Sequence, residues 1–131
     1  MSLLLTLVNY GVDNGVLAGD GIDSFRDFMP EVPDDAVAFS EYAGEPLSQF
    51  DTFVHRSIHV RVRSLDAEAA RKKALRLVAL FVPSTESRRI DFSPKLWGQV
   101  YVRQPPYKLS QDNSGKVTYC FNLGITTNIL E

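Results

Sequence analysis

The stretch "SIHVRVRSLDAEAARKKALRLVALF", Ser57 to Phe81, changes its hydrophobic period half-way along, and that change decides the fold. Over Ser57–Ser64, Ile58, Val60 and Val62 alternate with His59, Arg61 and Arg63. Alternation with period two belongs to a β-strand that has one buried face and one face left to water or a partner. From Leu65 the apolar residues step by three and four instead: Ala67, Ala70, Ala74, Leu77, Val78 and Phe81 form a helical stripe. Ser64 is placed to cap the helix N-terminus, and Asp66 and Glu68 load its first turn. Arg71, Lys72, Lys73 and Arg76 follow, which suits the helix dipole, and Pro83 ends the helix. The small alanines at the start of the stripe allow close approach to a sheet. The spacing therefore predicts a strand feeding directly into a helix over residues 65–82.

Working towards the N-terminus, "AVAFSEY" (36–42) reads as a strand that is entered through "MPEVPDD" (29–35). Pro30 and Pro33 each fix a φ angle and push the preceding residue towards extended geometry. Asp34 and Asp35 favour a turn. This corner is expected to be a stiff lead-in that aims the strand rather than a ligand loop. "AGDGIDSF" before it reads as a Gly/Asp loop. Leu3, Leu4, Leu7 and Val8 fit one face of a short helix from Ser2 to about Gly11. Working towards the C-terminus, "KLWGQVYVRQ" (95–104) and "KVTYCFNLGITTN" (116–128) read as strands. "PPYKLSQDNSGK" between them is expected to be a long hairpin connection. The order α-β-β-α-β-β predicts a single α+β domain over residues 1–131. It would hold a four-stranded, largely antiparallel sheet, with both helices on its apolar face and the other face open.

Composition narrows the function. At 131 residues, 44% hydrophobic and 23% charged, the chain suits an ordinary globular domain. A net charge of −2 is not that of a domain built to grip phosphate backbones. The lone cysteine, Cys120, rules out an internal disulfide and suits a reducing host cytoplasm. "MSLLLTLVNYGV" lacks the basic start of a signal peptide, and no apolar run approaches the roughly 20 residues that span a bilayer, so no membrane is expected.

No catalytic, cofactor or metal site emerges. His55 and His59 are spaced for a helix, but on a strand they stand about 13 Å apart, with no third ligand evident. Cys120 lies mid-strand, without a feature that would lower its pKa. Asp34, Asp35 and Glu41 are better explained by turn formation and solvation than by acid–base chemistry. The row His59, Arg61, Arg63 faintly suggests an RNA-binding sheet, but the stacking motif of such modules is missing. What remains is contact surface. Phe50 and Phe53, in the long connection "EPLSQFDTFVHR" (45–56), either anchor an interface or fold back onto the core. Together with His59, Arg61 and Arg63 they are the candidate residues for contact with another subunit or protein.

The ordered set of these pieces resembles the phage minor capsid family, whose members look like tail terminator proteins of long-tailed phages. The resemblance rests on Pro30, Pro33, Asp34, Glu41 and Gly44 around the first strand, and on Val60, Val62 and Arg63 in the second. It extends to Gln104, Pro105, Asp112 and Gly115 in the hairpin and to Phe121 and Asn122 in the last strand. The loop "PSTESRRIDFSPK" (83–95) is longer than that family leads one to expect. The resemblance implies a virion protein of the head–tail junction that assembles as a ring, usually a hexamer, on a finished tail tube. The ring would end tube polymerisation and meet the head-side connector. Its partners would be copies of itself, the major tail tube protein and a head completion protein, and genomic DNA would pass through its lumen without sequence-specific binding. The alternatives are a head–tail connector or stopper, a small enzyme, or a nucleic-acid-binding module.

Overall fold

The computed structural model describes residues 2–42, 53–84 and 86–129. Helix α1 spans Leu3–Asp13. Ser2 caps it, its Oγ accepting from the Leu5 amide at 3.2 Å. Strand β1 is Ser24–Arg26, β2 is Ala36–Tyr42 and β3 is Val54–Ser64. Helix α2 spans Ala67–Phe81, and β4 (Arg88–Asp91), β5 (Trp97–Gln111) and β6 (Val117–Thr127) complete the chain. All six strands lie in one sheet, in the order β1-β2-β3-β6-β5-β4. β1 runs parallel to β2, and the other neighbours are antiparallel.

The α+β class holds, but the expected four-stranded sheet and its element order do not. Strands β1 and β4 add one ribbon at each edge. Each is only three or four residues long, too short to show a period, and each lies in a stretch whose Gly, Asp and Ser content signals a loop. Strand β5 also runs past "VRQ" through Pro105 and Pro106, which were expected to break it. The ladder shifts register between Val102 and Gln104, between Gln104 and Tyr107, and between Lys108 and Ser110. Proline cannot donate to a ladder, and bulges are where a strand tolerates it.

The helix start differs in a similar way. Asp66, not Ser64, caps α2, its Oδ1 accepting from the Glu68 amide at 3.0 Å, while Ser64 Oγ accepts from the Asp66 amide. At the other end the side chain of Arg88 donates to the Leu80 carbonyl at 2.9 Å, placing a cation where the helix dipole favours one.

Both helices pack on one face of the sheet. Leu3, Leu7 and Val8 of α1 and Ala74, Leu77 and Phe81 of α2 share a core with Val37, Phe39, Ile58, Val60, Val62, Val100, Phe121, Leu123 and Ile125. The register explains the match. Phe39 pairs with Val60 and Val60 with Phe121, so a single row of large apolar side chains crosses three strands. Phe81 meets that row edge-on, 6.3 Å from Phe39 between ring centroids. Each fully buried side chain of this size contributes on the order of 1.5–3 kcal/mol. This face supplies the driving force for folding.

Candidate functional site

The face opposite the helices is built from the other residue of each alternation, and the pairing register sorts it into rows. Nearest the β2–β3 connection, His55 pairs with Thr126 and Thr126 with Gln99. His55 Nδ1 lies 2.6 Å from Thr126 Oγ1. Phe53 is half-buried beside this row, its ring 5.9 Å from His55 and 6.1 Å from Trp97, and the Arg89 guanidinium lies 4.9 Å over the Trp97 ring. Phe53 thus joins the sheet on the face away from the helices. Phe50 lies outside the described residues.

The next row reads Tyr42, Ser57, Gly124, Tyr101 across four strands. Gly124, one of its two central members, has no side chain because Tyr101 lies over it. A methyl group on Gly124 would sit 2.2 Å from Tyr101 Cζ. Arg103 in turn lies 5.6 Å over the Tyr101 ring, and its Nη2 donates to the Tyr101 hydroxyl at 2.9 Å. Hydrogen bonding to that hydroxyl raises the Arg103 pKa above its usual value, so the guanidinium stays charged. Ser57 beneath is fully buried, and its Oγ has no hydrogen-bond partner.

Ser40, His59 and Asn122 form the third row, in which His59 Nδ1 donates to Asn122 Oδ1 at 2.6 Å. The fourth row is Ala38, Arg61, Cys120 and Tyr107. Arg61 sits centrally, between two small neighbours. Among the described residues its Nε is buried without a partner, and its Nη2 lies 3.5 Å from Ser40 Oγ. Cys120 is fully buried, and burial raises its thiol pKa, the opposite of an activated nucleophile.

Arg63, in the last row, behaves differently from Arg61. It is 8% exposed, and its guanidinium donates to the carbonyls of Asp34 (3.2 Å), Glu31 (3.3 Å) and Pro33 (2.6 Å). Lys116 Nζ adds a bond to the Glu31 carbonyl at 2.6 Å and an ion pair with Asp34 at 3.3 Å. The proline corner is therefore clamped onto the ends of β3 and β6 by two cations. The Val32–Pro33 peptide bond within it is cis. Of the five candidate residues, the structure brings Phe53, His59 and Arg61 onto the surface away from the helices and turns Arg63 onto the chain's own backbone.

The carboxylates Asp34, Asp35 and Glu41 do not come together. Asp34 pairs with Lys116, and Glu41 makes a two-pronged ion pair with Arg56, while Asp35 borders a cleft of about 220 Å³ against α2. The other polar side chains of that cleft are already committed: Arg63 to the corner, Asp23 to the amides of Ala18 and Gly19, Ser64 to the Asp66 amide, and Lys73 to the Val16 carbonyl. Among the described residues, no group of three or more His, Cys, Asp or Glu side chains could hold a metal ion. Sequence reading missed Tyr42, Trp97, Tyr101 and Arg103. The available signal was the glycine inside the last strand, which marks a close approach by a neighbour.

A family model described as bacteriophage tail terminator protein matches residues 10–129. No curated protein matches the chain.

Proposed function

The chain belongs to the bacteriophage tail terminator family, a family of structural virion proteins rather than enzymes, and from that premise we propose that it caps the phage tail tube. In this reading copies of the chain close into a ring, hexameric as in the resemblance drawn from sequence, on the end of a finished tube. The ring blocks addition of further tube subunits and offers its other side to a head completion protein. The genome then passes through the lumen without being read.

The family match carries this reading. The sheet supports it: a face lined by Phe53, Trp97, His59, Arg61 and Tyr101 carries no described helix or strand over it and is too rich in large polar groups to be an interior. Aromatic and arginine side chains of this kind are enriched where proteins meet. We assign this face, with Phe53, His59 and Arg61 as contact residues, to the tail tube. Arg63 acts one step behind it by fixing the corner that sets β2.

Electron microscopy of purified protein mixed with tail tubes tests the proposal. Extra density confined to one tube end, with tubes that no longer elongate, is the expected result. Bare tube ends with unrestricted elongation would refute it.

A further inference from the structure

The sheet is electrically polarised from edge to edge. Residues 13–28, which lead into and build the β1 edge, carry four carboxylates and one arginine. Residues 86–111, which build β4 and β5 at the opposite edge, carry five cations and two carboxylates. The strand order puts these two segments at the two ends of one six-stranded sheet. Part of each set is neutralised locally: Asp20 pairs with Arg26, and Arg89 with Asp91. Among the described residues, Asp27 on one side, and Lys95, Arg103 and Lys108 on the other, form no salt bridge.

Each edge also shows apolar groups among its charges. Ile22 and Phe28 are exposed beside Asp27, and a shallow groove outside β1 runs along Phe25 and Phe28. Tyr107 and Leu109 are exposed on either side of Lys108. Among the described residues, only one side of β5 is paired from Tyr101 to Gln111, because β4 reaches no further than Val100.

We propose that the acidic β1 edge of one copy docks against the basic β5 edge of the next. The occupant is a second copy of this chain because the two edges complement each other in charge and each brings exposed apolar side chains. A self-matched contact would set acid against acid or base against base, and like charges across an interface are disfavoured by several kcal/mol. The contact is therefore head-to-tail, the geometry that closes into a ring when the rotation between copies permits. This inference rests on the ring reading and assigns its contact surfaces. Assembly should weaken as salt rises, since the Debye length shortens from about 10 Å at 0.1 M to about 3 Å at 1 M.

The test uses two variants. Asp20→Lys with Asp27→Asn alters the acidic edge, and Asp27→Asn respects the left-handed backbone at that position (φ 73°). Arg103→Glu with Lys108→Glu alters the basic edge. Mass distribution by sedimentation, with circular dichroism as the check on folding, is followed for each variant alone and for the equimolar mixture. Each folded variant alone should need at least about tenfold more protein to assemble than wild type. The mixture should recover assembly, because each chain then meets a complementary edge on both sides. Folded variants that assemble like wild type, or a mixture that fails to recover, overturn the inference while leaving the ring intact. A wild-type chain that stays monomeric even with tube ends present overturns the ring reading and this inference with it.

Discussion

The two faces of the sheet share the same strands and do opposite things. On the helix-covered face, side chains from β2, β3, β5 and β6 interdigitate with Leu3, Leu7, Leu77 and Phe81, and almost no apolar surface there remains wet. On the other face the central positions are small (Ala38, Ser57, Cys120, Gly124), and Tyr101 lies over Gly124. Among the described residues, two polar atoms there, Ser57 Oγ and Arg61 Nε, are buried without a hydrogen bond. The first face is complete within one chain, and no described helix or strand lies over the second. The lesson is that alternation along a strand can divide labour, packing one set of residues into the core and leaving the next to carry polar groups on the other face.

Substitutions can break or sharpen that contrast. The largest effect is expected from Phe121→Ala, in the middle of the covered face, which should destabilise folding by about 3–5 kcal/mol in urea titrations. A loss below about 1 kcal/mol would mean that the core is not where the packing places it. Gly124→Ala comes next. Its new methyl would collide with Tyr101, so a cost of about 1–3 kcal/mol is expected, and Tyr101→Ala in the same chain should recover most of it. Failure of that rescue would show that Tyr101 does not lie over Gly124. Arg63→Met keeps the apolar stem but removes the clamp on the corner, at an expected cost of about 1–3 kcal/mol. Faster hydrogen exchange at amides near Asp34 and Ala36 should accompany it, and unchanged exchange there would count against the clamp.

Sequence reading reached some elements and not others for physical reasons. The Ile58–Val62 alternation and the Ala70–Phe81 stripe are local patterns repeated often enough to be unambiguous, and both lie where expected. Strands β1 and β4 owe their existence to neighbours distant in the chain, and three or four residues cannot show a period. The second half of β5 was hidden by Pro105 and Pro106, whose usual meaning is reversed by the bulges around them.

The candidate face was half legible. His59 and Arg61 followed from alternation alone. The same alternation put Arg63 beside them, but its partners lie about 30 residues earlier, on backbone carbonyls that no side-chain pattern reveals. The row Tyr42–Ser57–Gly124–Tyr101 needed the register of three strand pairs. The charge difference between the two edges was present in the sequence, but it acquired meaning only once the strand order put its two halves at opposite ends.

The central claim is that the fold rests on the covered face while the uncovered face serves a partner. Arg61 is the residue that separates these roles most cleanly, because its guanidinium sits on the uncovered face with a buried, unpartnered Nε. The direct measurement is Arg61→Met, which keeps an apolar stem at that position, supplied to a phage lacking its own copy of this chain. Thermal unfolding of the variant is recorded beside tail length by electron microscopy. Stability within about 0.5 kcal/mol of wild type, together with overlong tails or tails without heads, is the expected result. A stable variant that restores tails of normal length and infectious particles would contradict the claim.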